Sequence, residues 1–343
     1  MTDPHGHQAT SPWQMPWAAW KDIAARTYKR TWDDNVGLVA AGVAFYGFFA
    51  LLSLLGMIVL VYGFAADPRT VIHNIGSLTA ILPTDVATLI GDQLMNAVNA
   101  SEGKKGLALA LALAVGFYGG TNGAAAAITS LNIAYEEKEK RSLVIFYLTA
   151  FGMTLCAVIL SLLMLAATTA AAALGQLVPQ ASDIAVTAGK VVTDAVLVLV
   201  AAAVAATLYR FGPSREDAKW TWITPGSMFA AIAWLILTLL FGFYVSHLTN
   251  YSATYGSLGA VVALLSWLYF SAYAFVFGAE LNSEIEHQTA KDSTTGAPLP
   301  MGERGAWAAD NVATDDSVQD RPEEKREGEK LTEAQPKVAE EKG

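Results

Sequence analysis

The amino-acid sequence predicts an all-α, polytopic membrane protein with six transmembrane helices and both termini in the cytoplasm. Its composition is the first reason: hydrophobic residues make up 53% of the 343-residue chain and charged residues only 15%, whereas globular domains carry about 25% charged residues. The second reason is a set of long runs without Asp, Glu, Lys or Arg, and the third is the clustering of Lys and Arg in alternate loops. This composition argues against a cytosolic enzyme, a nucleic-acid-binding protein and a disordered chain.

Residues 1–34 are predicted to form a cytoplasmic segment with a short amphipathic helix over about 17–32, lying on the membrane surface. Trp20, Ile23 and Tyr28 share one face at helical spacing, and the basic residues face the other way. An aromatic face opposite a basic face suits the headgroup region of a bilayer. Packing of this helix against the transmembrane bundle is supported equally well. The segment contains no apolar core typical of a cleavable signal peptide.

Residues 35–284 are predicted to form the transmembrane domain. A helix of about 20 apolar residues crosses a bilayer, so each of the first three charge-free runs holds one span. The fourth run, 221–279, is too long for one helix and divides at the polar residues 249–257. The apolar stretch 191–209 is predicted as the remaining span. It is the weakest of the six predictions, because the charged residues Lys190 and Asp194 lie at its start. The predicted spans are about 37–64, 107–134, 143–171, 191–209, 224–247 and 258–279.

The distribution of Lys and Arg predicts the orientation. Segments 21–30, 138–141 and 210–219 together carry ten Lys and Arg residues, against four in the longer segments on the opposite side. Because basic residues are concentrated in cytoplasmic loops, these segments and both termini are predicted to lie in the cytoplasm. The long loop 67–106 is then external and is predicted to carry two short amphipathic helices.

The C-terminal segment 285–343 differs from the rest of the chain. It holds 14 acidic and 8 basic side chains, and so supplies most of the net charge of −9. It has few large apolar residues. Because such a segment cannot bury enough apolar surface to fold, it is predicted to be a disordered, acidic cytoplasmic tail.

Residue types that carry catalysis are scarce in the sequence. The single cysteine, Cys156, excludes an intrachain disulfide and a Cys-based zinc site. The five histidines do not combine with carboxylates at metal-ligand spacing, and the pair His5 and His7 is best explained by chance. No catalytic residue, metal site or cofactor motif is therefore predicted, and the sequence does not indicate an enzyme.

The second predicted span contains four glycines within eight residues, in the sequence GFYGGTNG. Glycines four residues apart allow another helix to approach closely, but each also weakens the helix by about 1 kcal/mol relative to Ala. Two interpretations stay open: a break near mid-membrane that exposes Thr121 and Asn122 to a transport pathway, or a tight helix crossing, which is slightly favoured. The same glycines could also mediate contacts between two copies of the chain, so formation of a homo-oligomer stays an open alternative. These glycines are Gly116, Gly119, Gly120 and Gly123.

Further polar residues lie in or beside the first two spans, at Asn35, Tyr46 and Asn132. Unpaired polar groups are costly in hydrocarbon, so these side chains are expected to face the bundle interior or an aqueous cavity. Asn132 follows Asn122 by about three helical turns on roughly the same side. A polar line that runs toward the cytoplasm is therefore an expectation.

Glu280 lies at the cytoplasmic end of the last span. A helix C-terminus already carries partial negative charge, so a carboxylate there needs a positive partner. The candidate ion pair joins Glu280 to Arg210, one of several basic residues predicted on the same side. A structural clamp is favoured over a gate.

Several motifs in a common order resemble the YihY/BrkB family of bacterial inner-membrane proteins over about residues 17–287. The resemblance implies a six-helix inner-membrane protein without an established activity. Members were formerly mislabelled ribonuclease BN, the name BrkB reflects serum resistance, and some relatives have been connected with export of lipid A precursors. The matching motifs are Asp34-Asn35 followed by residues 40–46, the stretch from 121–123 to 132–135, residues 208–213, residues 224–227, and the stretch from Tyr251 to 280–282.

The residues and the resemblance together favour a transporter or flippase-like protein for a lipid or amphiphilic solute, with membrane lipids as partners. A non-transporting scaffold that recruits partners is the alternative, and a membrane hydrolase is a weak third. Ribonuclease activity and nucleic-acid binding are disfavoured, because clustered metal ligands and a basic soluble surface are missing from the sequence. A pocket that reaches Asn122 would favour transport, and a fully packed bundle would favour the scaffold.

Overall fold

The computed structural model describes residues 3–65, 102–176, 183–247 and 258–313. Regular structure in these residues is helical, apart from one isolated β-bridge between Ala218 and Thr294. A single 3-10 turn precedes the first α-helix. The helices are α1 (Trp17–Asp33), α2 (Val36–Ala65), α3 (Glu102–Ala134), α4 (Leu143–Gln176), α5 (Asp183–Phe211), α6 (Trp220–His247), α7 (Leu258–His287) and the short α8 (Trp307–Asp310).

The all-helical prediction is confirmed, and each predicted span falls on one of the long helices α2 to α7. Three of these helices, α2, α6 and α7, contain described stretches long and apolar enough to cross a membrane, and the apolar stretches of α4 and α5 are shorter. Six crossings and cytoplasmic termini stay predictions. The predicted external helices fall mainly on residues outside the described part of the chain. The three long stretches are Val36–Ser53, Trp220–Tyr244 and Val261–His287.

The helix α6 begins earlier than predicted and continues through Pro225. Proline has no N–H and disrupts the hydrogen bonds of a helix interior. The side chain of Asn282 on α7 compensates at this point, because its Oδ1 accepts from the N–H of Gly226 at 2.7 Å and its Nδ2 donates to the carbonyl of Ile223 at 2.9 Å. Asn282 thus joins α7 to the weakened turn of α6.

The helix α7 is the central element, since it packs against α1, α2, α3 and α6. The best-buried side chains lie around its C-terminal half and include Tyr135, Tyr209, Ile223 and Val276. The Tyr209 hydroxyl donates to the carbonyl of Phe275 at 2.6 Å. Large apolar side chains are exposed on the outer faces of the bundle, as expected of helices that face lipid tails. Examples are Leu38, Leu143, Leu199 and Leu239.

The helix α1 packs against the bundle through the face that contains Ile23 and Thr27, both buried. The predicted assignment of faces is partly wrong. Tyr28 lies on the opposite, exposed face together with Trp17, whereas the guanidinium of Arg26 reaches toward α7. A buried carboxylate on α7 attracts this arginine, so it does not stay in solvent on the far side of the helix. The Ile23 face therefore packs on the bundle, as the second interpretation proposed.

The prediction of disorder from residue 285 onward is wrong for residues 285–313. This part of the chain is folded: Arg304 is buried and its guanidinium donates to three carbonyls, while the carboxylate of Asp310 accepts from three backbone N–H groups. Polar bonds thus replace the apolar core that the composition lacks. Residues 314–343 lie outside the described residues. The carbonyls bound by Arg304 belong to Ala290, Leu299 and Ala309.

Candidate functional site: a groove between three helices and a charged cap

A groove with a volume of about 330 Å³ lies between α2, α3 and α4, and we call it the groove below. The side chains that line it are apolar, except for those of five uncharged polar residues. No Asp, Glu, Lys, Arg or His lines this space. The polar lining residues are Tyr46, Asn122, Thr129, Ser130 and Tyr147.

Three of these polar side chains retain hydrogen-bonding capacity. The Nδ2 of Asn122 donates to the carbonyl of Tyr118, one turn back along α3, at 2.9 Å. Its Oδ1, and the hydroxyls of Tyr46 and Tyr147, have no hydrogen-bond partner among the described residues. By contrast, Thr129 donates to a carbonyl of its own helix, as does Ser130. The groove therefore presents hydroxyl and amide groups that are available to a ligand or to water.

The groove extends along about half of the bundle. Its lining begins near Val39 at the start of α2, Ile133 in the last turn of α3, and Phe146 at the start of α4. It reaches Asn122, which is eleven residues before Ile133 and so about 16 Å along the helix axis. A bilayer hydrocarbon core is about 30 Å thick. The groove therefore belongs to one half of the bundle, the half that contains the N-terminal end of α2.

The glycine-rich segment of α3 forms a helix crossing, not a break, since α3 is continuous from Glu102 to Ala134. A Cβ atom at Gly119 would lie 2.6 Å from the Cβ of Ser53 on α2, and one at Gly120 would lie 2.5 Å from Cγ2 of Thr154 on α4. A Cβ atom at Gly123 would lie 2.9 Å from the Cβ of Ala50. The glycines thus let α3 approach both neighbours, and Gly116 is also buried.

The other predicted polar residues do not join Tyr46 and Asn122 in the groove. Thr121 is partly buried and is not part of the groove lining. Asn35 adopts a left-handed backbone conformation with φ of 51° between α1 and α2, and its Nδ2 donates to the carbonyl of Asp33. Asn35 therefore serves the turn between two helices. The polar line expected from Asn122 toward Asn132 continues in the groove lining only as far as Thr129 and Ser130.

Asn132 is buried and bonded on both sides of its amide. Its Oδ1 accepts from the N–H of Ser214 at 2.7 Å, and its Nδ2 donates to Glu139 at 2.9 Å. These bonds connect the chain after α3 with the chain after α5. The hydrogen bond from Arg141 lowers the pKa of Glu139 to about 2 against the effect of burial, with Asn132 contributing in the same direction. Asn132 therefore holds two loops together.

The segments predicted to share one side of the membrane meet at one end of the bundle. They comprise residues 3–33, 135–142, 212–219 and 285–313, which we call the cap. The N–H of Ala290 donates to the carbonyl of His7 at 2.8 Å, so the two terminal segments are joined directly. His7 therefore has a structural role in the cap, although the sequence predicts none for the pair His5 and His7.

A chain of ion pairs connects α1, which belongs to the cap, to the last turn of α7 directly before the cap segment 285–313. Arg26 Nε lies 2.6 Å from Glu284 Oε2, and Arg30 Nε lies 3.3 Å from Glu284 Oε1. Arg30 also binds the carboxylate of Glu136. The side chain of Glu284 is almost completely buried, with 2% exposed. Two arginines from α1 thus neutralise one buried carboxylate of α7.

A second ion pair is buried more deeply. Arg215 Nη2 lies 2.6 Å from Glu286 Oε2, and the exposed fractions of these side chains are 1% and 0%. The guanidinium lies 4.8 Å from the ring centroid of Tyr135, and Ser293 donates a hydrogen bond to Glu286. Burial lowers the pKa of Arg215, but the charge and hydrogen bond of Glu286 outweigh burial and raise it. The Arg215 guanidinium therefore stays positively charged.

Arg210, the predicted partner of Glu280, is held by several groups in the cap. Its Nε lies 3.7 Å from Asp217, its Nη1 donates to the carbonyl of Ala218 at 2.7 Å, and its guanidinium lies 4.7 Å from the ring centroid of Trp220. Glu280 is buried on α7. Their direct pairing stays a prediction.

The ion pairs of Arg26 and Arg30 with Glu284 were not predicted from the sequence. Arg26 and Arg30 are one helical turn apart on α1, and Glu280 and Glu284 are one turn apart on α7. The two pairs carry opposite charges and lie at the ends of segments predicted on the same side of the membrane. This pattern was the signal that could have revealed the contact between α1 and α7. Arg215 carried no comparable signal, because its partner lies in the segment that composition predicted to be disordered.

The described residues contain no group of three His, Cys, Asp or Glu side chains placed to hold a metal ion. The buried carboxylates of Glu284 and Glu286 are instead paired with arginines. The geometry at this end therefore supports a structural function for the ion pairs.

The sequence model of the family described as virulence factor BrkB matches residues 27–300. The chain belongs to the virulence factor BrkB family. The match begins within α1, covers α2 to α7 and the groove, and includes about half of the residues of the cap. It also includes residues 288–300, which lie beyond the stretch over which the sequence resembles the family.

Relatives of this BrkB family member are membrane proteins and a protein with an enzyme-like name. The ribonuclease-like protein YfkH of Bacillus subtilis is 30% identical over 240 residues, which cover 69% of this chain and 86% of YfkH. A UPF0761 membrane protein of Pseudoalteromonas translucida is 32% identical over 69 residues, or 20% of this chain and 23% of the relative. A UPF0761 membrane protein of Ralstonia nicotianae is 32% identical over 117 residues, or 34% of this chain and 23% of the relative. No solved structure matches the chain.

Proposed function

We propose that this membrane protein moves a lipid or amphiphilic solute through the bilayer along the groove between α2, α3 and α4. The observation that carries the proposal is a groove lined by uncharged polar residues within helices whose outer faces are apolar. Polar atoms without partners are costly in hydrocarbon. A polar head that enters the groove would bind these atoms while its apolar chain stays in contact with lipid.

The packing of the groove walls supports a fixed binding site. Gly119 and Gly123 bring α3 close to α2, and Gly120 brings it close to α4. Close backbone approach leaves little freedom for these helices to separate. In this proposal the groove is a preformed track, and the lipid head moves along it.

The proposed placement puts the chain in the bacterial inner membrane, with six crossings and the cap in the cytoplasm. The concentration of Lys and Arg in segments that belong to the cap supports this orientation. The groove would then face the inner leaflet.

The test is bilayer crossing by a labelled lipid in liposomes that contain the purified full-length chain. Asn122→Leu removes the amide from the groove at similar volume, and we expect crossing to fall about tenfold or more, corresponding to loss of one or two hydrogen bonds. Leu239→Ala, on the exposed outer face of α6, is the control and should retain crossing.

Crossing no faster than in protein-free liposomes, over a panel of head groups and with an imposed proton or sodium gradient, would refute the proposal. Equal crossing by the unaltered chain and Asn122→Leu would place the pathway elsewhere in the protein.

A scaffold is the second candidate, and the folded cap is the observation that favours it. Both terminal segments contribute to the cap, which offers a defined surface outside the bundle. A scaffold would keep its cellular function in Asn122→Leu, whereas a transporter would lose it. The name of YfkH suggests hydrolysis, but the groove has no carboxylate, histidine or cysteine in its lining.

A further inference from the structure

We propose that the groove selects lipids whose head is uncharged and carries a hydroxyl group, in preference to anionic phospholipids. The inference rests on the groove of the proposed function, but it concerns binding and does not require movement. Diacylglycerol is the simplest lipid of this class, and phosphatidylglycerol is the matched anionic comparison.

The charge distribution around the groove is the first support. No Asp, Glu, Lys, Arg or His side chain lines it. The guanidinium of Arg141 lies 5.9 Å from the ring centroid of Phe146, which is part of the lining. This arginine is already bound to Glu139 at 2.7 Å and to the carbonyl of Gly212 at 2.9 Å. A phosphate in the groove would therefore lose water without gaining a free counter-charge, and such burial is unfavourable.

The hydrogen-bonding groups of the groove are the second support. The hydroxyls of Tyr46 and Tyr147 can each donate and accept, and Oδ1 of Asn122 can accept. None of these atoms has a partner among the described residues. A hydroxyl head also donates and accepts, so it can satisfy this set without bringing a charge. A phosphodiester group offers only acceptors and also brings a negative charge that these uncharged groups do not neutralise.

The position and size of the groove are the third support. The lining starts at the cap end, near Val39 and Phe146, and ends at Asn122 within the bundle. A volume of about 330 Å³ is at the lower limit of small-ligand sites, which range from about 300 to 1,000 Å³. It accommodates a small head and the first part of a chain, while the remaining chain lies between exposed apolar faces. The lipid therefore comes from the leaflet on the cap side.

The experiment uses two photoactivatable lipids with identical acyl chains, a diacylglycerol and a phosphatidylglycerol, in nanodiscs that contain the full-length chain. Each carries the photoreactive group near the head, and labelled peptides are identified by mass spectrometry. We expect diacylglycerol to label peptides of the groove about tenfold more than phosphatidylglycerol, because the phosphate of phosphatidylglycerol finds no free counter-charge there. Equal labelling by the two lipids, or stronger labelling by phosphatidylglycerol, would overturn the inference.

A pair of variants tests the origin of the selectivity. Thr129→Lys puts a cation into the groove, and we expect it to shift labelling toward phosphatidylglycerol. Thr207→Lys is the matched control, because Thr207 is also exposed and also donates to the carbonyl one turn back, but on α5 away from the groove. An unchanged ratio in Thr129→Lys, or the same shift in both variants, would overturn the charge argument.

The labelling experiment and the crossing experiment can refute their two proposals independently. Selective labelling without bilayer crossing would refute transport and leave the binding inference intact. Crossing without selectivity between the two lipids would refute the binding inference and leave transport intact.

Discussion

Arg215 and Glu286 in the cap bind each other at 2.6 Å and are almost completely buried, whereas the hydroxyls of Tyr46 and Tyr147 in the groove have no partner among the described residues. The two regions belong to the same bundle and meet at the start of α2. Charge in the cap is matched within the protein and holds separate segments together. Polarity in the groove is uncharged and only partly matched within the protein.

This difference indicates which residues serve the fold and which are available for a ligand. A buried ion pair with both partners present is neutral overall, but loss of one partner leaves an isolated charge. A hydroxyl without a protein partner can be removed at little cost to the folded state. Stability measurements should therefore separate the cap from the groove, even though both contain polar residues within largely apolar surroundings.

The largest effect is expected in the cap. Arg215→Met should destabilise the protein by about 3–5 kcal/mol, because Glu286 is left buried without a counter-charge. Thermal unfolding in detergent measures the change. The double variant Arg215→Met/Glu286→Leu should recover a large part of the loss, since no isolated charge remains.

Lys140→Met is the control for that experiment. Its side chain is 61% exposed, although it forms a salt bridge with Glu137, and exposed pairs contribute only about 0–1 kcal/mol. If Arg215→Met is no more destabilising than Lys140→Met, the cap is not held by its buried charges.

The next effect concerns the wall of the groove. Gly119→Ala should destabilise the protein by about 1–3 kcal/mol, because overpacking forces neighbouring atoms to move and the new Cβ would lie 2.6 Å from the Cβ of Ser53. Gly152→Ala on α4 is the matched control, since no heavy atom lies within 4 Å of the added Cβ. It should be neutral, or stabilise the helix by about 0.5–1 kcal/mol. Similar unfolding temperatures for the two variants would contradict the close crossing of α2 and α3.

A smaller effect on stability is expected within the groove. Tyr46→Phe should change the free energy of unfolding by no more than about 0.5 kcal/mol, because the hydroxyl has no partner among the described residues. Lipid crossing or head-group labelling should fall in the same variant. A loss of stability as large as that of Arg215→Met would break the distinction between groove and cap.

The smallest effect is the pH dependence of one carboxylate in the cap. The hydrogen bond from Arg141 lowers the pKa of Glu139 from 4.5 to about 2. A lowered pKa stabilises the folded state above the unfolded pKa, and this contribution is lost as the pH falls from about 4.5 toward 2. The effect is reduced by solvent, because 29% of the side chain is exposed. Unfolding temperatures between pH 6 and 3 should fall less steeply in Glu139→Gln than in the unaltered chain, and parallel slopes would contradict the assignment.

The sequence by itself determined the long helices. The span predicted over 107–134 ends where α3 ends, and the span predicted over 37–64 differs from α2 by one residue at each end. These boundaries follow from local properties, namely apolar runs and the charged residues beside them. Asn122 and Tyr46 were also predicted as polar candidates, because polar side chains in apolar runs are visible without knowledge of the fold.

Only the tertiary structure decided what these residues contact. It placed Asn122 with Tyr46 and Tyr147 in the groove, and assigned Asn132 to the connection between two loops. It also showed that residues 285–313 fold. The side chains of Arg304 and Asp310 form hydrogen bonds with backbone groups that are distant in sequence or lie in separate turns. Composition measures how much apolar surface a segment can bury, but a polar segment can also be held by hydrogen bonds and ion pairs to its neighbours. Those partners are known only when the chain is folded.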